Sequence, residues 1–232
     1  MAASRQLAFD LAARPALGRG DFFAAPANRL ALAQIDRWPA WPGGRLAVVG
    51  PAGSGKTHLA RVWAARSAAR IVCGADLPGF DLAGVPCTCA VVVEDVDRVA
   101  ALEAQAGAAE EALFHLCNHL GRGGALMVTG RTAPAFWPIA LRDLASRLAA
   151  IPVATLDPPD DALLAAVLVK LFADRGVGVG PDVIRYLVVR IDRSFAAAEA
   201  AVARLNRTGL ARRRPITVRL AAEMLAEDRP PP

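Results

Sequence analysis

The residues whose types and spacing are best suited to binding or catalysis form one short segment, Gly50–Thr57, with the sequence GPAGSGKT. It matches the pattern G-x-x-x-x-G-K-[ST], in which glycines let backbone N–H groups turn toward phosphate oxygens. The segment follows an apolar run and precedes a predicted helix, whose positive N-terminus also favours anions. This spacing predicts a P-loop that binds a nucleotide. The predicted nucleotide-binding residues of the loop are Gly50, Pro51, Ala52, Gly53, Ser54, Gly55, Lys56, Thr57 and His58.

Two side chains of the loop have individual predicted roles. Lys56 is expected to reach the β- and γ-phosphates, and the Thr57 hydroxyl to hold Mg²⁺. The chain contains only two lysines, Lys56 and Lys170, among many arginines. A lysine at the one loop position that requires it is therefore informative. The expected cofactors are ADP or ATP with Mg²⁺.

A run of apolar residues that ends in acids, Val91–Asp97, is the predicted partner of the loop. Such a strand places carboxylates beside the phosphates, usually with Asp as the metal ligand and a second acid as the base. Here Glu94 comes first and Asp95 second. We predict both as catalytic acids and Glu94 as the second Mg²⁺ ligand, with Asp95 as the alternative ligand. Because Glu is one methylene longer, the order predicts weak or absent intrinsic hydrolysis; the alternative is an acidic strand end without chemistry.

The elements that must position these residues alternate between strands and helices. Strands are predicted at residues 45–49, 69–73, 88–93, 125–129 and 150–156. Helices are predicted at residues 28–38, 56–67, 108–120 and 141–148, and after Asp157–Asp160 only at about 160–175, 182–190, 194–211 and 217–227. Because alternating strands and helices form a parallel sheet covered on both faces, the sequence predicts an α/β fold followed by a small all-helical lid.

The predicted division of the chain is a flexible tail over 1–20, a nucleotide-binding base over 21–157 and the lid over 158–229. Its 232 residues are 54% hydrophobic and carry a net charge of +5, which permits contact with nucleic acid without requiring it. No uncharged stretch reaches the roughly 18 residues that a membrane helix needs. Because the N-terminus also lacks a signal-like apolar core, we expect a cytoplasmic protein without membrane contact.

Several segments together resemble the AAA+ class, and within it the bacterial replication initiator DnaA and its short relative Hda. Glu110–Asn118 is similar to the helix that these proteins carry after the acidic strand. Leu126–Gly130 resembles their sensor 1 strand, and Leu141–Leu148 the segment that bears their arginine finger. Ile191–Arg193 opens a helix like the one with their sensor 2 arginine. On these segments the chain is identified as a member of the Hda family, with the five-stranded P-loop AAA+ fold.

The resemblance implies three further roles, which fall on Thr129 as sensor 1, Arg147 as an arginine finger acting in trans, and Arg193 as sensor 2 acting on the chain's own nucleotide. Each arginine has a simpler interpretation as well. Arg147 could be a surface residue that pairs with Asp143 at i,i+4, and Arg193 could pair with Asp192 or Asp182.

The N-terminal segment Gln6–Leu11, QLAFDL, is similar to the Q-L-x-L-x-L peptide with which Hda binds the replication sliding clamp. Its predicted anchors are Gln6, Leu7, Phe9 and Leu11, a polar amide with apolar side chains for a groove. Patterns this short also arise by chance. The initiator continues past its lid into a DNA-binding domain, for which this sequence, ending at Pro232, is expected to leave no room.

The resemblance implies a nucleotide-binding regulator that docks on the clamp, stimulates hydrolysis of the ATP held by DnaA and so prevents re-initiation. The expected partners are the clamp and DnaA, with a homodimer as a further option, and DNA contact is expected to be indirect or weak. The run Arg212–Arg214 is either a solvated helix end or a contact with DNA or the initiator. Two alternatives are an accessory protein related to DnaA that acts without the clamp, and a stand-alone P-loop ATPase.

Overall fold

The computed structural model describes residues 28–212 and 214–226. The clamp-like peptide with Gln6, Leu7, Phe9 and Leu11 lies outside these residues, and so does Arg213 of the arginine run.

Five strands form one parallel sheet at the centre of the described residues. They are β1 Arg45–Val49, β2 Arg70–Cys73, β3 Ala90–Glu94, β4 Ala125–Gly130 and β5 Val153–Thr155. Their lateral order is β2-β3-β4-β1-β5, and all four pairings are parallel. The predicted fold class is thereby confirmed. In this order β4 lies between β1 and β3, so β4 separates the strand before the P-loop from the acidic strand.

Eight α-helices accompany the sheet in the described part of the chain. They are α1 Arg29–Asp36, α2 Lys56–Ser67, α3 Ala106–Leu120, α4 Arg142–Ala149, α5 Asp161–Asp174, α6 Pro181–Val188, α7 Phe195–Arg212 and α8 Val218–Ala226. Each matches a helix predicted from the sequence. Four 3₁₀ segments were not predicted, at Pro42–Gly44, Gly74–Gly79, Val96–Gln105 and Pro134–Phe136.

The two faces of the sheet bury separate apolar clusters. On β3, Val91 and Val93 pack on the side covered by α3 and α4, whereas Val92 packs on the side covered by α1 and α2. Because successive side chains of a strand point to opposite faces, a strand covered on both sides is apolar throughout. This requirement explains the unbroken apolar runs in β1, β3 and β4.

Helices α5 to α8 bury a third apolar cluster of their own. Leu164, Leu168 and Phe172 of α5 meet Leu187 of α6 and Leu205 of α7 there, and all five side chains are fully buried. We refer to this four-helix segment as the lid. Within residues 28–212 and 214–226, no helix has both the length and the apolar character that a membrane span requires.

Candidate nucleotide-binding site

The predicted phosphate-binding residues lie at the carboxyl edge of the sheet. The P-loop begins directly after β1, where Val48 is in register with Thr129 of β4 and Val49 with Gly130. The chain crosses from one side of β1 to the other between β4 and β5. In open α/β sheets ligands bind outside the carboxyl ends of the strands at such a switch point. The topology thus brings β1, β4 and β3 to one site.

The backbone of the P-loop takes left-handed conformations at two glycines. Gly53 has φ +72° and Gly55 has φ +96°, values that cost an L-residue energy because of its Cβ. Gly55 is also the residue before α2, and no side chain caps the first turn of that helix. The first N–H groups of a helix need partners, so an uncapped N-terminus beside a glycine-rich loop suits an anion.

Ser54 lies inside the loop and is only 2% exposed. Its Oγ is buried and has no hydrogen-bond partner among the described residues. A buried hydroxyl without a partner is costly, and a phosphate oxygen is a chemically suitable acceptor. Ser54 and the start of α2 together fit the phosphates of a nucleotide.

Lys56 is buried under the same loop, with 8% of its surface exposed. Its Nζ donates hydrogen bonds to the carbonyl oxygens of Gly50 and Pro51, at 2.7 and 2.8 Å. Burial lowers the pKa of the Lys56 ammonium, and the carboxylates of Asp95 and Asp97 oppose that shift. The lysine is therefore held by two neutral carbonyls, near acids, in a place where an anionic phosphate would be a stronger acceptor.

The acidic end of β3 is shaped by an unusual backbone conformation. Asp95 has φ 55° and ψ 43°, in the left-handed region, which Asp tolerates better than most residues. Its N–H donates to Oγ1 of Thr129 at 3.0 Å, and Thr129 is 1% exposed. The predicted sensor 1 residue thus fixes the turn that follows the acidic strand. A carboxylate oxygen of Asp95 lies 4.0 Å from Nη1 of Arg98.

The two predicted acids differ in their surroundings. Oε1 of Glu94 is buried and has no hydrogen-bond partner within the described residues, whereas the Asp95 side chain is 45% exposed. No group of three or more His, Cys, Asp or Glu side chains forms a metal cluster in this part of the chain. Mg²⁺ in phosphate sites uses one or two protein ligands plus water and phosphate oxygens. Glu94 together with Thr57, which is exposed at the start of α2, fits that requirement.

A third acid, Asp97, joins the site, and no motif in the sequence predicts a role for it. Its Oδ2 accepts the N–H of Arg131 at 2.9 Å, and its Oδ1 is buried and has no partner among the described residues. The contact ties the segment after β3 to the end of β4. The contact between Asp97 and Arg131 follows a left-handed turn at Asp95. The sequence does not predict this turn, because no glycine marks it.

The lid contacts the P-loop directly through the start of α7. The N–H of Phe195, the first residue of this helix, donates to the carbonyl oxygen of Gly53 at 2.8 Å. Ser194 caps α7, because its Oγ accepts the N–H of Ala197 at 3.0 Å. A serine before an alanine-rich helix is a recognisable N-cap signal, but its contact with the loop is visible only in three dimensions.

Arg193, predicted as sensor 2, is adjacent to this contact. Its Nη2 lies 2.9 Å from Oδ1 of Asp161, at the start of α5, and both side chains are more than half exposed. The partner is therefore neither Asp192 nor Asp182. Exposed ion pairs contribute only about 0–1 kcal/mol, so this pair holds Arg193 near the loop without trapping it there.

Arg147, predicted as the arginine finger, lies in the last turn of α4 and is exposed. Its guanidinium carbon is 5.1 Å from the centre of the Phe114 ring. No ion pair with Asp143 forms among the described residues. The charged side chains acting on Lys56 are Asp95, Asp97, Arg131 and Glu94, whereas Arg147 acts on Cys117 of α3.

The overall fold is similar to that of several solved proteins. No protein-family model matches the chain. The chromosomal replication initiator DnaA of Thermomicrobium roseum is 28% identical over 141 residues, which are 59% of this chain and 29% of that protein. Domain III of Thermotoga maritima DnaA superposes with a TM-score of 0.77 over 93% of this chain and 97% of that structure, at 17% identity. DnaA from Aquifex aeolicus bound to AMPPCP matches with a TM-score of 0.68 over 85% of this chain and 67% of its own, at 15% identity.

The described residues share the fold of DnaA domain III, and part of the chain is similar in sequence to DnaA. At 15–17% identity the likeness to the solved structures concerns the fold, and the matched region spans less than a third of the curated DnaA. One of the matched structures was solved with a nucleotide analogue, AMPPCP.

Proposed function

We propose that the chain is a nucleotide-binding regulator of chromosome replication, which binds the sliding clamp and stimulates ATP hydrolysis by the initiator DnaA. Stimulation of this kind would prevent re-initiation. The observation that carries the proposal is the exposed guanidinium of Arg147, stacked on Phe114 and not used in an ion pair with Asp143. An arginine in that state is available to a neighbouring molecule.

The chemistry expected of Arg147 is electrostatic. In phosphoryl transfer, charge develops on the equatorial oxygens of the transferred group, and an arginine supplied in trans raises the rate by roughly 10³- to 10⁵-fold. We assign Arg147 this role in the ATP site of DnaA. A guanidinium suits it because it is always charged and can donate two hydrogen bonds in one plane.

The chain's own nucleotide has a different proposed role. ADP or ATP would be held by the P-loop from Gly50 to His58, with Thr57 and Glu94 holding Mg²⁺. In this proposal residues 21–157 form the base and 158–229 the lid. Arg193 would exchange Asp161 for a phosphate, so that the nucleotide sets the position of the lid. With Asp95 turned toward Arg98, we expect intrinsic hydrolysis to be weak or absent.

The decisive experiment mixes the chain with clamp-loaded DNA and ATP-bound DnaA and follows phosphate release. Arg147→Ala is expected to reduce the stimulation by roughly 10³- to 10⁵-fold, the range for an arginine supplied in trans. Arg142→Ala is the matched control, because Arg142 is an exposed arginine on the same helix, and it should stimulate normally. Equal stimulation by Arg147→Ala and Arg142→Ala would refute the trans role.

A second arm tests the clamp. Replacing Gln6, Leu7 and Phe9 by alanine should abolish binding to the clamp while leaving nucleotide binding intact. If stimulation of DnaA then persists without clamp binding, the chain acts as an accessory protein independent of the clamp. Turnover of ATP by the chain alone, at the rate of a working ATPase, would instead favour a stand-alone enzyme.

A further inference from the structure

The start of α4 is held by a carboxylate from another helix. The residue before α4, Leu141, has no side-chain cap. Instead Glu110 of α3 accepts the N–H of Leu141 at 2.8 Å on Oε2 and the N–H of Ala140 at 3.1 Å on Oε1. Glu110 is only 4% exposed. A buried carboxylate beside the positive end of a helix, with a donor on each oxygen, fixes that end firmly.

One turn further along α3, Phe114 contacts the other end of α4. Residues four apart lie on the same helix face, so Glu110 and Phe114 both point toward α4. Phe114 is half-buried against the apolar cluster between the sheet and helices α3 and α4. The guanidinium carbon of Arg147 lies over the Phe114 ring, 5.1 Å from its centre. A single face of α3 therefore contacts the two residues that precede α4 and the exposed arginine in the last turn of α4.

We propose that Glu110 and Phe114 are positioning residues for Arg147, through which α3 fixes the place and direction of the finger. Glu110 sets where α4 begins, and the Phe114 ring restricts the rotamers of the arginine by cation–π attraction. A side chain ordered before binding loses less freedom when it enters a partner's site. The inference rests on the proposed function of Arg147 and adds the elements that aim it.

The first test needs no partner. Relaxation of the Arg147 Nε–Hε group by ¹⁵N NMR, assigned from the spectrum of Arg147→Lys, reports the order of the guanidinium on the ps–ns timescale. Phe114→Leu, which keeps an apolar side chain but has no ring, should lower the order parameter, whereas Phe114→Tyr should preserve it. An order parameter unchanged by Phe114→Leu, or already as low as that of a free side chain in the parent, would overturn the proposal.

The second test uses stimulated hydrolysis by DnaA. Phe114→Leu should lower the maximal rate by about 2- to 5-fold, the factor for an exposed cation–π contact, at an unchanged half-saturating concentration. Phe114→Tyr should restore the rate. In the Arg147→Ala background Phe114→Leu should have no further effect, because Phe114 acts through the arginine. A further loss in that background, or a change only in the half-saturating concentration, would show that Phe114 has another role.

Glu110→Gln is the third variant, and Glu111→Gln is its control, because Glu111 is the exposed neighbour on the same helix. Glutamine keeps one acceptor but loses the charge, so the maximal rate should fall for Glu110→Gln and not for Glu111→Gln. If circular dichroism shows that Phe114→Leu is unfolded, Glu110→Gln and Phe114→Tyr test the positioning role in its place. An Arg147→Ala variant with full stimulation refutes the proposed function. Loss with Arg147→Ala but parental rates with Glu110→Gln and Phe114→Leu refutes only the positioning role.

Discussion

The contact between the lid and the P-loop can be tested with one added methyl group. Gly53 has φ +72°, and a Cβ at this position would lie 2.5 Å from Cβ of Ser194 and 2.9 Å from its Oγ. Gly53→Ala therefore requires the start of α7 to move away from the loop. Gly176, which follows α5, is the matched control: its φ is +68° and a Cβ would meet no atom within 4 Å.

The magnitude follows from these distances. Placing an alanine in the left-handed region costs about 1 kcal/mol, and both variants carry that cost. Relieving the clash at Gly53 needs a shift of about 1 Å. The hydrogen bond from Phe195 N–H to the Gly53 carbonyl, now 2.8 Å, then exceeds the usual range, and its loss costs about 1 kcal/mol more. We expect Gly53→Ala to destabilise by about 2–3 kcal/mol and Gly176→Ala by about 1 kcal/mol.

Two measurements check this prediction. Thermal unfolding should show a fall in Tm of about 2–4 °C for Gly176→Ala and roughly twice that for Gly53→Ala, given the size of the chain. Hydrogen exchange should show faster exchange of the Phe195 amide in Gly53→Ala only, since the bond to the loop is local. Equal changes in Tm together with a protected Phe195 amide in both variants would refute the argument that the lid rests on Gly53.

Three further predictions concern single side chains. Lys56→Ala should weaken ADP binding about 10- to 100-fold in isothermal titration with Mg²⁺, the factor for a lost charged hydrogen bond, whereas Lys170→Ala should bind as the parent does. Thr129→Val removes the acceptor of the Asp95 N–H and should lower the free energy of unfolding in urea by about 1–3 kcal/mol, with Thr129→Ser restoring it. Burial raises the pKa of the Cys117 thiol, so iodoacetamide at pH 8 should label it far more slowly than the three partly exposed cysteines, at a rate that rises with pH; fast labelling in the folded protein would contradict its burial.

The order of strands and helices was predictable because burial on both faces of a sheet imposes continuous apolar runs. The predicted ends of a strand were less accurate where the apolar run is longer than the segment that pairs with a neighbouring strand. Residues 150–156 were predicted as a strand, but only Val153–Thr155 pair with β1. Ile151 is buried at 4% exposure, yet its N–H donates to Leu148 at the end of α4. An apolar residue is expected to be buried, but its type alone does not tell whether it pairs with a neighbouring strand or only packs against the core.

The candidate site was predictable where its geometry is local. The P-loop is encoded within eight residues, since its glycines, Lys56 and the following helix are contiguous. Contacts between distant segments were not predictable. Arg193 pairs with Asp161, which is 32 residues earlier, and not with either aspartate considered from the sequence. In the sequence Glu110 is only one residue of a family-like segment, and nothing there predicts that it holds the start of α4.

The P-loop accepts hydrogen bonds both from its own Lys56 and from the lid, and these bonds affect how a nucleotide would bind. Lys56 holds the carbonyls of Gly50 and Pro51 from within, and Phe195 donates to the Gly53 carbonyl from the lid. The Lys56 ammonium has three N–H donors. A phosphate that replaces the carbonyls of Gly50 and Pro51 as acceptors frees a segment that lies only two to three residues before Gly53. Any resulting change in the loop alters the lid contact, and by thermodynamic linkage the lid contact alters phosphate affinity by the same factor. In the proposed function, the P-loop of this chain therefore links the nucleotide to the lid as well as binding it.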